Sequence, residues 1–581
     1  MNSRLARRPL GRALLLLLVF ALGVLSGCAQ IPTSGKVGHG KGRVNEPAPV
    51  YLQVYGPVTD AGAGQIVQGF IAAQADGSAD NWKTAREYLT ADTSQSWDPS
   101  ERTDIYAGEY EVEVVAESDS AVTIEVTIEP LASIDHLGRY TQNFDRGEQA
   151  MVFNLSKDDA GQWRINELAD GSLVSQPNFN SVYRAIPLYF PTSDESYLVP
   201  EVRWYANRGA VSQVTSAILQ GPSEWLRDSV EHLVPSGTRL VVNAVSVDRD
   251  GIAQVDLTAE VLNMSARERG ILLAQLRGSL SEVAGVNDVK LLVNGSDLSL
   301  NQDVNLQRDP QASSYPLALS QGKLGRLSGE FLEQLVLFDQ VFNEVNAFEV
   351  QSLAVNSSFD EVAFVSSDSR LIGVDAANPN GIELDADVDV ATLSLDRFGL
   401  VWGAKSGTPN HVYAHDFAQQ TSTLEVAWLV GRQIVGLKVA RDGSRVALLS
   451  KNHSGYVLEI AGVIRNEAGS PTKLTQGVVL AKFEATPLDM QWVDELSIGV
   501  LQEATITGAT GVLLAPVLNI YELGRSVKTL KTVVGAKSFV ASRGVNSILI
   551  LTSEDKVYAP EVNGVSWSEL IDEISALALP G

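Results

Sequence analysis

Leu437-Lys438-Val439-Ala440-Arg441-Asp442-Gly443-Ser444-Arg445-Val446-Ala447-Leu448-Leu449 sets two apolar runs on either side of a short polar turn. The pattern recurs in Leu353-Ala354-Val355 with Asp360-Glu361-Val362-Ala363-Phe364-Val365, and weaker copies begin at Leu393-Ser394-Leu395, Leu488-Asp489-Met490 and Ser538-Phe539-Val540. The starts lie about 40 to 50 residues apart, the spacing at which each unit supplies one four-stranded propeller blade. One such sheet alone exposes its edges, whereas a ring of blades buries their faces against one another. Helical periodicity nearly disappears from Leu317 onward, so residues 317–575 are read as an all-β propeller of five or six blades.

Upstream, beyond a linker at 301–316, residues 184–300 carry an α+β pattern. Leu188-Tyr189-Phe190 and Val199 to Trp204 read as strands, Ala210 to Gln220 as a helix, and Gly221-Pro222 as its stop. Arg239 to Val247 and Ile252 to Leu257 alternate around Asp248-Arg249-Asp250-Gly251, a hairpin signal. Ser265 to Ala284 places Ile271, Leu272, Gln275, Leu276 and Leu280 on one helix face, and Val289 to Val293 returns as a strand. Within this region Leu219-Gln220-Gly221-Pro222, Pro235-Ser236-Gly237-Thr238, Val255-Asp256-Leu257-Thr258, Gln275 and Val293-Asn294-Gly295 resemble, in order, the GerMN domain of spore germination proteins. Each motif also has a structural reading: Gly and Pro punctuate turns, Asp256 bonds local backbone, and Gln275 is a polar core residue.

Residues 57–183 open with helical spacing at Ile66, Val67, Phe70 and Ile71, then Trp82, Ala85 and Leu89 in a second short helix ending near Thr90. Strands follow at Tyr110 to Val115, Val122 to Ile128, Gln149 to Leu155 and Gln162 to Leu168, with Asp158-Asp159-Ala160-Gly161 as a hairpin turn. Helices followed by antiparallel strands make an α+β domain. The order resembles the cone-shaped nuclear transport factor 2-like (NTF2-like) fold.

At the N-terminus, Arg4, Arg7, Arg8 and Arg12 precede the uncharged run Ala13 to Leu25, too short to cross a ~30 Å hydrocarbon core comfortably. The run ends at Leu25-Ser26-Gly27-Cys28, which holds the chain's only cysteine. These four residues resemble the bacterial lipobox. The resemblance implies cleavage of residues 1–27 as a signal peptide and S-diacylglycerol and N-acyl chains on Cys28. Two acyl chains exceed the marginal membrane affinity of one. A plain secretory signal and an uncleaved membrane helix are the alternatives. Residues 28–56, rich in Gly and Pro, read as a tether.

The chain's net charge of −26 becomes −30 once the four arginines of residues 1–27 are removed, which repels nucleic acid. One cysteine forbids any disulfide within the chain. Glycine-rich phosphate loops and a Gly-x-Ser-x-Gly elbow are absent from the sequence. His411 and His415 read as strand residues about 13 Å apart, too far to share one zinc ion. His136 reads as a solvated turn residue, and His39, His232 and His453 as scattered surface or turn residues. Trp402, Trp428, Trp492 and Trp567 read as fillers between blades or as a carbohydrate groove. No catalytic, cofactor or metal site is assigned.

The whole order, with Cys28-Ala29-Gln30-Ile31-Pro32-Thr33-Ser34-Gly35 at its start, resembles the actinobacterial LpqB lipoprotein family. That resemblance implies a lipid-anchored, extracytoplasmic, non-catalytic accessory acting on the sensor of the MtrB histidine kinase, and through it on the response regulator MtrA, in cell-envelope homeostasis. Two other readings stay open: a binder of cell-wall glycan or peptide, and a propeller-type hydrolase.

Overall fold

The computed structural model describes residues 54–580 except 76, 146, 299, 301–303, 311–312, 314, 339–340, 342–349, 505–514 and 562–565. Leu25, Ser26, Gly27 and Cys28, with the expected signal segment and nearly all of the expected tether, lie outside the described residues. Among the described residues no helix is long and apolar enough to cross a membrane.

The first domain begins with α1 (Ala63–Ala73), which buries Ile66, Val67, Phe70 and Ile71 as its spacing dictates. After α2 (Gly77–Asp80), the second short helix expected from Trp82 to near Thr90 is only α3 (Lys83–Arg86). Trp82 sits between them at φ +61, a left-handed conformation that interrupts a helix. Thr90 caps the next helix, α4 (Ala91–Ser96), by accepting the Thr93 amide at 3.4 Å. The strands are β1 (Arg102–Glu117), β2 (Ala121–Asp135), β3 (Tyr140–Gln142), β4 (Gln149–Lys157), β5 (Trp163–Glu167) and β6 (Ser172–Ser175). They form one sheet in the order β5-β4-β2-β1-β6, with β3 added to β2 and with β1 parallel to β6. Val122, Ile124, Val126 and Ile128 alternate inward against α1 and pack with Phe153, Leu155, Trp82 and Trp97. Helices on one sheet face make this an α+β domain.

After α5 (Gln176–Val182), strands β7 (Tyr183–Pro191) and β8 (Tyr197–Ala206) pair antiparallel. Then come α6 (Ala210–Gln220), α7 (Glu224–Arg227), β9 (Ser246–Val247), β10 (Ile252–Leu257), α8 (Ala266–Leu280), β11 (Asp288–Val293) and β12 (Ser296–Asp297). β10 and β11 run parallel because α8 carries the chain across. Ser265 and Glu268 form a reciprocal capping box at the start of α8, and its apolar face buries Ile271, Leu272, Leu276 and Leu280. Of the expected strand Arg239–Val247 only β9 and a bridge between Leu240 and Leu257 exist. The Ala244 amide turns back to the Val242 carbonyl and the Val245 amide donates to Ser212 Oγ at 2.8 Å, which takes that backbone out of the ladder. The expected linker is also tied down: β13 (Gln307–Arg308) adds to β8 in parallel register.

Six sheets follow. The second to fifth blades open with Val350–Val355, Ser394–Leu395, Gln433–Val439 and Pro487–Trp492, and the sixth with Ala536–Val540. Each of these strands contains or overlaps one of the five starts read from the sequence. The first blade joins Leu317–Ser320, Lys323–Ser328 and Phe331–Gln334 to the C-terminal strand Ala576–Ala578, which pairs antiparallel with Leu317–Ser320. That closing strand lies beyond residue 575, where the sequence reading ended the domain. The five strands that open the second to sixth blades touch in succession, and Ala576–Ala578 touches both Val350–Val355 and Ala536–Val540, so the ring is complete. Separate apolar clusters fill the gaps between successive blades.

Candidate functional site

The motif residues of the second domain hold backbone together. Gly221 ends α6 at φ +95, a conformation that strains any side chain, and its carbonyl accepts Arg203 Nη2 at 2.9 Å. Arg203 also meets Glu201 at 3.0 and 3.2 Å, and Glu201 accepts the Ser223 amide at 2.9 Å, all of it buried. Asp256 accepts the Gly295 amide on both oxygens at 3.0 Å, fixing the Val293-Asn294-Gly295 turn to β10. Gln275 donates to the Tyr189 carbonyl at 3.1 Å, and Ser279 Oγ accepts the Tyr189 amide at 3.0 Å. The Glu201–Arg203 pair was not singled out from the sequence. Its signal is two opposite charges two residues apart, hence on one face, in an otherwise apolar strand.

Ionisable groups also join this domain to the propeller. Arg397 grips Asp194 with two bonds of 2.8 and 2.9 Å and donates Nε to the Asp442 carbonyl at 2.7 Å. Burial works against the Asp194 charge, yet the hydrogen bonds from Arg397 and Thr192 hold its carboxyl well below the usual carboxylate range. Tyr189 Oη donates to Glu495 Oε1 at 2.7 Å, and Arg308 lies 4.8 Å over the Tyr189 ring. Burial pushes Glu495 up. Arg445 pairs with Asp442 at 2.6 Å and donates to the Glu495 carbonyl at 2.9 Å. Asp309, just past β13, sits 3.3 Å from Arg543 and 3.9 Å from Arg441, and burial raises its carboxyl in spite of both cations. Gly462 lets α7 approach, for a Cβ there would lie 2.9 Å from the Trp225 carbonyl oxygen.

Along the propeller axis, inter-blade bonds dominate. Lys438 Nζ donates to the Leu393 carbonyl at 2.6 Å, Trp492 Nε1 to the Lys438 carbonyl at 3.0 Å, and the Phe539 amide to Asp489 at 2.9 Å. Burial lowers Lys438 and raises Asp489. The channel encloses only about 30 Å³ and no histidine lines it. His411 and His415 do lie on one strand, and His415 faces Thr421 at 2.9 Å and Asp385 at 3.2 Å. Burial pushes the His415 imidazole down. Trp402 is fully buried with Nε1 on Asp396 at 2.8 Å, Trp492 packs between blades, and Trp567 donates to the Lys531 carbonyl at 2.7 Å. Trp428 packs against the cluster between the third and fourth blades. His136 is exposed in its turn, and His232 is exposed beside Gly221.

Unpaired charge collects on the first domain. Residues 57–183 hold 22 acidic and 7 basic side chains. On the sheet face turned away from α1, Glu113 lies directly opposite Glu125, and Glu125 opposite Val152, which is 50% exposed. Glu111 lies two residues along the same face of β1. Among the described residues, none of these three glutamates has an ion-pair partner closer than 4 Å, and nothing covers Glu111 or Glu113.

Comparison with known proteins places these parts. Residues 56–180 match the family model of the lipoprotein LpqB N-terminal domain, 187–299 that of a sporulation and spore germination domain, and 334–579 that of the lipoprotein LpqB beta-propeller domain. Lipoprotein LpqB of Cutibacterium acnes is 24% identical, with 98% of this chain and 99% of that protein covered. Its counterpart in Bifidobacterium longum is 25% identical, with 75% of each covered. Among solved structures, the first GerMN domain of the sporulation protein GerM from Bacillus subtilis is 21% identical over 21% of this chain and 93% of its own, with a TM-score of 0.18. With three family models falling in order on the three domains, the chain belongs to the lipoprotein LpqB family.

Proposed function

We propose that this chain is a lipid-anchored, extracytoplasmic, non-catalytic accessory that binds the extracytoplasmic domain of a membrane sensor histidine kinase, of the MtrB type, and biases its signalling in cell-envelope homeostasis. Residues 1–27 are its signal peptide, Cys28 carries the diacylglycerol and the N-acyl chain, and 28–56 is the tether to the first domain. The observation that carries the reading is the division of charge: ionisable groups at the domain junction and in the propeller bond to one another, while Glu111, Glu113 and Glu125 stay free for a partner with a basic surface. Confinement to the membrane plane raises the effective concentration toward another membrane protein without new contacts. A partner shifts the kinase only by binding its states unequally.

The test is retention of the sensor domain by the full-length protein purified in detergent, together with kinase autophosphorylation. Wild type retains the sensor and alters autophosphorylation; Glu113→Lys with Glu125→Lys loses both at unchanged thermal stability. No retention by wild type overturns the reading. Cys28→Ser moves the protein from the membrane to the soluble fraction, and membrane retention of that variant overturns the anchor.

A further inference from the structure

Between the second domain and the propeller lies a cavity of about 270 Å³, just below the ~300–1,000 Å³ of drug-sized pockets. Tyr197 and Gln307 form one side of it, Ser357 and Arg397 the other, and Arg441 and Pro580 also line it. The Tyr197 hydroxyl, the Gln307 amide and the Ser357 hydroxyl have no hydrogen-bond partner among the described residues. Arg441 directs three of its five N–H groups to the carbonyls of Pro580, Ser542 and Ala541, leaving two without an acceptor. Arg397 lies 5.1 Å from the Tyr197 ring centroid, giving the wall a flat cationic surface. The one lining carboxylate, Asp396, is already saturated by Arg465, Trp402 and two backbone amides.

Arg397 is held in its pair with Asp194 and Arg441 lies 3.9 Å from Asp309, so what the cavity offers a ligand is the two spare N–H groups of Arg441 and the polar groups of Tyr197, Gln307 and Ser357. We propose that this cavity binds a small carboxylate of about dipeptide or sugar-acid size, its charged oxygens on Arg441 and its body against Tyr197 and Pro580. The walls belong to two domains, so an occupant ties the second domain more firmly to the propeller. The site is independent of the kinase-binding reading, whose proposed surface lies on the first domain.

Ligand-detected NMR titration of the full-length protein in detergent tests it, with N-acetyl-Ala-Ala and glucuronate as the two carboxylates and N-acetyl-Ala-Ala amide as the neutral control. Saturable binding of at least one carboxylate, at least tenfold tighter than the amide, is expected, and the one that binds identifies the source as peptide or sugar acid. Ser357→Trp, which fills the mouth, weakens that binding at least tenfold at unchanged melting temperature. Gln307→Trp gives the same result should Ser357→Trp fail to fold. No saturable carboxylate binding, equal affinity for the amide, or full affinity in a folded mouth-filling variant overturns the proposal.

Discussion

Asp396 in the third blade and Glu113 on β1 are both carboxylates in strand-rich domains, and their surroundings differ in every respect. Asp396 accepts the Phe398 and Leu400 amides, the Trp402 indole and Arg465 at 2.6 to 3.0 Å, and it is 1% exposed. Glu113 faces Glu125 across the strand pair and is exposed. Like charges directly opposite on a sheet cost stability, so β1 and β2 carry a penalty that their own domain does not relieve. The difference separates charge that organises the fold from charge left available to a partner.

The strongest way to break the comparison is Asp396→Ala. It leaves Arg465 buried and unpaired and strips two amides and an indole of their acceptor, an expected loss of about 3–5 kcal/mol read from the urea midpoint. At the domain junction the effect is smaller. Arg397→Ala removes the partner of Asp194, whose side chain is 38% exposed, so solvent screening limits the loss to about 1 kcal/mol or less by thermal unfolding. This contact also has a sign in pH. The folded Asp194 carboxyl titrates below its unfolded value, so the stability it confers is present above the ordinary carboxylate range and is lost as pH falls through its folded pKa. The gap between wild type and Arg397→Ala therefore closes in strong acid. Glu495, raised by burial, acts oppositely: its contribution is full at low pH and declines as pH rises through its folded pKa. Last, Glu113→Lys replaces a repulsion by an attraction and should stabilise by about 0.2–1 kcal/mol in the same melt. A loss instead would mean that the acidic face is structural.

What the sequence made legible was local. Turn residues such as Asp158-Asp159-Ala160-Gly161 and the helix stop at Gly221 act within a few positions, and both appear as read: Gly161 lies at φ +77 and Gly221 at φ +95. The five blade starts were visible because each opening strand is followed at once by its turn and partner. The first blade was hidden, since its innermost strand comes from the far end of the chain. Arg239–Val247 had the alternation of a strand, but Ser212, on another element, takes one of its amides. The junction pairs were equally out of reach: Arg397 and Asp194 are 203 residues apart, Tyr189 and Glu495 306. No periodicity links such positions, and only the packing of complete domains brings them together.

The pairing of Ala576–Ala578 with Leu317–Ser320, reinforced by the Ser575 amide on the Leu319 carbonyl at 2.9 Å, sets a schedule for biosynthesis. An N-terminal domain folds as soon as it emerges, but the ring has no complete first blade until residues 576–578 have been made. Until that strand pairs, the growing propeller carries open sheet edges, the exposure that invites wrong pairing. Residues 576–578 thus decide whether the ring is closed.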